Sequence, residues 1–194
     1  MYPKSRLDAL SDSIFGVAMT LLALDVRLPD EFEPRDATEL LHALAGLEPK
    51  FLPYALSFGV LGLRWLSNIH VRSVGEECSR GYANWWLLYH LLITCVPFTT
   101  IVVGRFASFA PAIWLYAGNT ILISAVSFQL LALTPSIERT DHLRDRQVAL
   151  GLLIASSLLA IAWSFVGPGQ ALWAMAINLA APVLAQRLGG SARR

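Results

Sequence analysis

The chain has 194 residues, of which 55% are hydrophobic and only 15% charged, with a formal net charge of +1. A soluble domain carries about 25% charged residues, so the composition excludes an ordinary soluble fold and points to an integral membrane protein. The near-zero net charge offers no footing for nucleic acid.

Apolar runs near the ~20 residues needed to cross a ~30 Å hydrocarbon core predict six spanning helices in one domain over 1–194. The first covers about 8–28 and stops at Pro29-Asp30. Its apolar run from Ile14 to Leu28 has no small-residue cleavage site before the acidic stretch Asp30–Glu39, so it is expected to stay in the membrane. A short amphipathic piece, Leu40–Leu47, follows. The remaining spans are expected at about 53–69, 85–103, 111–133, 148–166 and 171–188, with Thr134-Pro135 ending the fourth and Gly167-Pro168-Gly169 the fifth. With the N-terminus inside, inner segments hold ten of the Lys and Arg residues and outer segments four (Arg27, Arg35, Lys50, Arg105). That bias predicts both termini in the cytoplasm. Tyr and Trp at helix ends fit interfacial belts.

The two cysteines, Cys78 and Cys95, lack metal-ligand spacing and read as small apolar filler. No metal is expected to bind tightly, and no cofactor is called for.

The first helix carries the pattern of most interest. At 100° per residue, Ser13, Val17, Thr20 and Leu24 fall within a stripe about 60° wide, with Arg6 on its extension. Helices gathered around an axis would stack this stripe into rings. Rings of Val or Leu make a poorly wetted neck that can gate by dewetting. A ring of Thr hydroxyls can replace part of an ion's hydration, favouring potassium modestly over sodium. Two other readings stay open: the stripe is packing, with Thr20 bonded to its own backbone, or the neighbouring stripe Ile14, Ala18, Leu21 and Asp25 faces the axis instead.

Arg6 and Asp12 stand at the mouth of this helix. Ionisable groups in such a setting are costly and mark functional sites by default. Six residues apart, they do not face each other on one helix. Each needs a partner on another helix or subunit, or in water, the candidate side chains being His70, Asn68, Asn84, His90 and Asn178. Arg6, Ser11 and Asp12 read as a structural clamp at the inner mouth, the alternative being direct ion binding by Asp12.

The stretch Arg6–Pro29 resembles the first helix of the transmembrane protein 175 family, whose signature is R-x-x-x-F-S-D-G, then an apolar helix ending in T-L-L-x-L-D and a nearby proline. Arg6, Ser11, Asp12, Thr20, Leu21, Leu22, Leu24, Asp25 and Pro29 match, while Leu10 replaces the phenylalanine and Ser13 the glycine. The region of Trp65 resembles the family's second helix, where a tryptophan precedes a histidine pair. This chain has Asn68 and Ile69 in their places and His70 one residue later. Val96-Pro97-Phe98-Thr99-Thr100 resembles the proline–phenylalanine element of the third.

The resemblance implies a potassium channel without a carbonyl filter, six helices per subunit, and a homotetramer whose first helices line the pore. It implies a bacterial member, in the inner (plasma) membrane. Val17, Thr20, Leu24, Ser13 and Leu21 would then form the constriction, with Asp25 at the outer mouth. Arg6, Ser11, Asp12, Trp65, Asn68, His70 and His90 would form a polar network. Potassium ions, lipid and other copies of the chain would be its partners.

Three rivals remain. A secondary transporter wants broken helices and repeats; Pro97 interrupts one helix, but the halves show no repeat. An intramembrane enzyme lacks H-E-x-x-H, paired aspartates or a G-x-S-x-G elbow, and of the four histidines only His90 is expected within the bilayer, as an interhelical contact. Proton conduction would need a titratable or water-lined path, which the Val17–Leu24 neck lacks.

Overall fold

The computed structural model describes residues 2–69, 77–133, 142–168 and 170–171. The expected sixth helix, His70 and Asn178 lie outside the described residues.

The described chain is helical, with one two-residue ladder. β1 (Tyr2–Pro3) pairs antiparallel with β2 (Glu77–Cys78), Tyr2 opposite Cys78, and so ties the N-terminus to the segment that opens α4. α1 spans Lys4–Leu22, and a 3-10 turn, Ala23–Asp25, continues it. The helix begins four residues before the expected start because the ladder and Pro3, extended at the N-cap, deliver a chain already set to enter it.

α2 (Ala37–Ala45) is the amphipathic piece, begun three residues early by a cap. Asp36 Oδ1 accepts the Glu39 amide at 2.7 Å, and Glu39 Oε2 accepts the Arg35 amide at 2.7 Å. α3 (Glu48–Ile69) begins a turn before the expected Pro53. Pro53, in the second turn, deletes one ladder bond to the Pro49 carbonyl, and the helix tolerates that loss near its end.

The expected third helix is two segments. α4 (Arg80–Thr94) begins where Ser79 Oγ accepts the Tyr82 amide at 3.2 Å, and α5 covers Val96–Phe106. The break at Cys95 has a local cause: Pro97 brings no N–H to the carbonyl of Ile93, and the Cys95 amide turns to Leu92 O at 3.2 Å. Together they make a 27-residue span, Arg80–Phe106.

α6 (Ala110–Leu133) and α7 (His142–Ser164) follow among the described residues. α7 starts six residues before the expected 148, so Arg144 and Arg146, expected in a loop, are helical. Among the described residues, four helices are long and apolar enough to cross a membrane: Lys4–Asp25, Arg80–Phe106, Ala110–Leu133 and Arg146–Ser164. α3 has the length but, with Arg64 inside it, falls short in hydropathy.

α6 sits at the centre, packed against α4, α5 and α7, while α1 lies against α3, α4 and α5. α6 buries Ala112, Ala117, Ser124 and Ser127, small residues that let neighbouring helices approach closely. One core joins Phe15, Ala18 and Leu22 of α1 to Leu61, Tyr89, Ile93, Val96, Ile123 and Val126. A second lies between α5, α6 and α7 around Val103, Ile113, Ala117 and Ala160.

Candidate functional site

α1 has two unlike faces. Ser11, Phe15, Ala18 and Leu22 are buried against the other helices, Phe15 and Leu22 at 1% exposure. About 160° around the helix, Ser13, Val17, Thr20 and Leu24 are exposed, Val17 at 57% and Leu24 at 64%. Arg6 is exposed at the N-terminal end of that face. The neighbouring stripe turns mostly inward: Ala18 and Asp25 are buried, Ile14 is half-buried, and only Leu21 is exposed.

Both hydroxyls on the free face are tied to the helix backbone. Ser13 Oγ donates to Ala9 O at 3.0 Å and Thr20 Oγ1 to Val17 O at 2.8 Å. With the hydrogen committed, each oxygen presents lone pairs outward. Such a surface suits a cation.

Asp12 and Ser11 find partners far away in sequence. Trp65 Nε1 donates to Asp12 Oδ1 at 2.9 Å, joining α3 to α1. Ser11 Oγ lies 2.9 Å from His90 Nε2, while His90 Nδ1 lies 2.8 Å from the Trp86 carbonyl. A carbonyl only accepts, so Nδ1 carries the hydrogen, and the neutral ring receives the Ser11 O–H at Nε2. His90 is 2% exposed and packed by Phe15, Trp86 and Tyr89 rings. Asn68 does not join Arg6 or Asp12. Its amide donates to Tyr89 OH at 3.4 Å, and its Oδ1 accepts Arg146 Nη2 at 3.0 Å. Asn84 is exposed, and Arg6 meets no partner among the described residues.

Asp25 is buried rather than displayed at a mouth. Arg105 of α5 holds its Oδ1 through Nε at 3.0 Å and Nη2 at 2.6 Å. Sequence reasoning had Arg105 as one of four outer cations and gave it no partner. It also passed over Arg64, the one cation assigned to no helix end, which sits 7% exposed inside α3. An arginine within an apolar helix was the available signal. Among the described residues, no group of three or more His, Cys, Asp or Glu could hold a metal ion.

A bundle of apolar helices with a free, hydroxyl-bearing face on its first helix is the outline of a multi-pass membrane protein. Residues 6–97 match the family model described as endosomal/lysosomal potassium channel TMEM175. A potassium channel of Streptomyces collinus is 30% identical over 149 residues, 76% of this chain and 71% of that protein. The chain belongs to the TMEM175 family of ion channels. The human endosomal/lysosomal proton channel TMEM175 is 36% identical over 78 residues, 36% of this chain but only 16% of the human protein. The crystal structure of a lysosomal potassium-selective channel TMEM175 homolog from Chamaesiphon minutus shares the fold, with a TM-score of 0.71 and 22% identity over 93% of this chain and 96% of that one.

Proposed function

We propose that this chain is the subunit of a potassium-conducting channel, a homotetramer in a bacterial plasma membrane with both termini cytoplasmic. Four copies of α1 surround the axis, and the face bearing Ser13, Val17, Thr20 and Leu24 turns toward it, with Leu21 at its flank. Permeation is passive. Val17 and Leu24 narrow the path, and Thr20 supplies oxygens between them.

One observation carries this reading: α1 buries one face completely in its own subunit and leaves the opposite one exposed. Exposed Val and Leu alone would suit lipid. Thr and Ser hydroxyls with outward lone pairs suit a path for cations better than hydrocarbon, where polar groups lack partners. The relative in Streptomyces is named a potassium channel, which supports the choice of ion. Ser11, Asp12, Trp65 and His90 hold α1 in place from outside the path.

A second reading is proton conduction through the same architecture, favoured by the name of the human relative. Reconstituted protein in planar bilayers separates the two. Reversal potentials that follow the potassium gradient and ignore the pH gradient support the first, and the opposite result supports the second. Saturable uptake coupled to a second ion, without unitary currents, would overturn both in favour of a transporter.

A further inference from the structure

Apart from the free face of α1, a row of polar groups runs through the interior of the subunit along α3. At one end Gly104 stands next to both Pro53 and the Asp25 carboxylate, which Arg105 holds. One turn along α3, Ser57 Oγ lies 3.0 Å from Tyr116 OH and 2.7 Å from Thr100 Oγ1. Thr100 Oγ1 is also 2.8 Å from Val96 O. A hydroxyl has a single hydrogen, so Thr100 serves Ser57 or Val96 but not both well. The hydroxyls therefore have alternative donor arrangements, the property by which such rows pass protons.

Arg64 follows roughly 10 Å further along α3, at 1.5 Å per residue. It is 7% exposed, and its Nη2 donates to Ser124 Oγ at 2.9 Å. Its Nη1 is buried without a hydrogen-bond partner among the described residues. The guanidinium borders a cavity of about 10 Å³ shared with Ser57, Thr99, Tyr116, Asn119 and Thr120, room for about one water molecule. Another turn along, Asn68 and Tyr89 meet Arg146 at a second cavity of about 40 Å³. From Pro53 to Asn68 the row covers about 22 Å of helix, most of a ~30 Å hydrocarbon core.

The bond from Arg64 to Ser124 does not by itself require a charge at this point. A neutral amide could donate to Ser124 as well. A buried charge without an opposite partner is destabilising, and among the described residues no carboxylate pairs with Arg64. A guanidinium stays protonated in proteins, and an arginine in a narrow polar passage excludes protons and cations by its field. We infer that Arg64 is an electrostatic barrier which keeps protons from crossing this row of polar groups within each subunit, confining conduction to a separate path.

Proteoliposomes loaded with a pH-sensitive dye test this directly, by proton entry after an external pH step with the membrane potential clamped. Arg64→Gln keeps a donor for Ser124 and removes the charge. It should raise proton entry roughly tenfold, the order expected for two unit charges ~10 Å apart at an effective dielectric constant of ~20. Arg64→Lys should stay near wild type. Ser124→Asp leaves Arg64 in place but neutralises it, and should leak like Arg64→Gln. It decides the matter if Arg64→Gln does not assemble. Wild-type proton entry in assembled Ser124→Asp protein, or a leak in Arg64→Lys equal to that of Arg64→Gln, would overturn the inference. Repeating the measurement with Leu24→Phe added locates the leak. An excess that persists runs through the subunit, and one that disappears with potassium flux runs along α1 and refutes the barrier.

Discussion

Arg105 grips a single oxygen of Asp25 with two nitrogens, Nε at 3.0 Å and Nη2 at 2.6 Å, and so fastens the end of α1 to α5. The pair is asymmetric in exposure: the Asp25 side chain is 9% accessible and that of Arg105 48%. Removing the arginine strands a buried carboxylate. Arg105→Ala should destabilise the protein by about 2 kcal/mol, between a charged hydrogen bond and the full cost of breaking a buried pair. Arg105→Lys should recover part of it. The fall in melting temperature in detergent checks this, and an unchanged value for Arg105→Ala would contradict it.

The bond from Trp65 to Asp12 joins α3 to the polar end of α1. Asp12 is exposed within the subunit, so solvent offsets part of any loss. Trp65→Phe should cost about 1–2 kcal/mol, as for a hydrogen bond to a charged acceptor. Asp12→Asn should impair assembly more than permeation. Gel filtration combined with single-channel recording separates the two effects; a well-assembled oligomer with altered conductance would reassign Asp12 to ion binding.

Leu24 is the most exposed of the large apolar side chains on the free face of α1. Leu24→Ala should widen a neck built from four copies, raising potassium flux and lowering discrimination against sodium. Liposome flux assays with each ion measure both quantities. No change in either would place the constriction elsewhere.

Thr20 differs from valine mainly by its hydroxyl, already bonded to Val17 O. Thr20→Val keeps the shape and removes the outward lone pairs. The potassium-to-sodium permeability ratio should fall by a few-fold, the order of one hydrogen-bond-scale contribution of about 1 kcal/mol. An unaltered ratio from reversal potentials would show that the oxygen plays no part.

Local signals were legible in proportion to how local they were. The α1 core, α6 and the amphipathic character of α2 follow from hydropathy and period, whereas the start of α2 is set by the Asp36 cap, which was not read. Helix starts slipped by one or two turns where proline was read as a boundary, as at Pro53, or where a distant strand supplied the start, as β2 does for α1. The fracture at Cys95 was marked in advance by Pro97.

The side-chain pairings were not legible in this way. Asp25 and Arg105 are 80 residues apart, Ser11 and His90 79, Asp12 and Trp65 53. No periodicity links positions on different helices. Trp65 entered the expected polar network only through the family resemblance; spacing along the chain did not single it out as the partner of Asp12.

The sequence by itself determined that α1 is a helix, that it enters a membrane, and that it carries two rival stripes. These are properties of hydropathy and of a 3.6-residue period, which act over a few turns. Only tertiary structure decided which stripe is left free, because that depends on where α3, α4 and α5 close over Phe15, Ala18 and Leu22. The same packing encloses Arg64 among hydroxyls and turns Asp25 toward Arg105. A charge in a sequence is only a cost; what it does depends on what the fold places beside it.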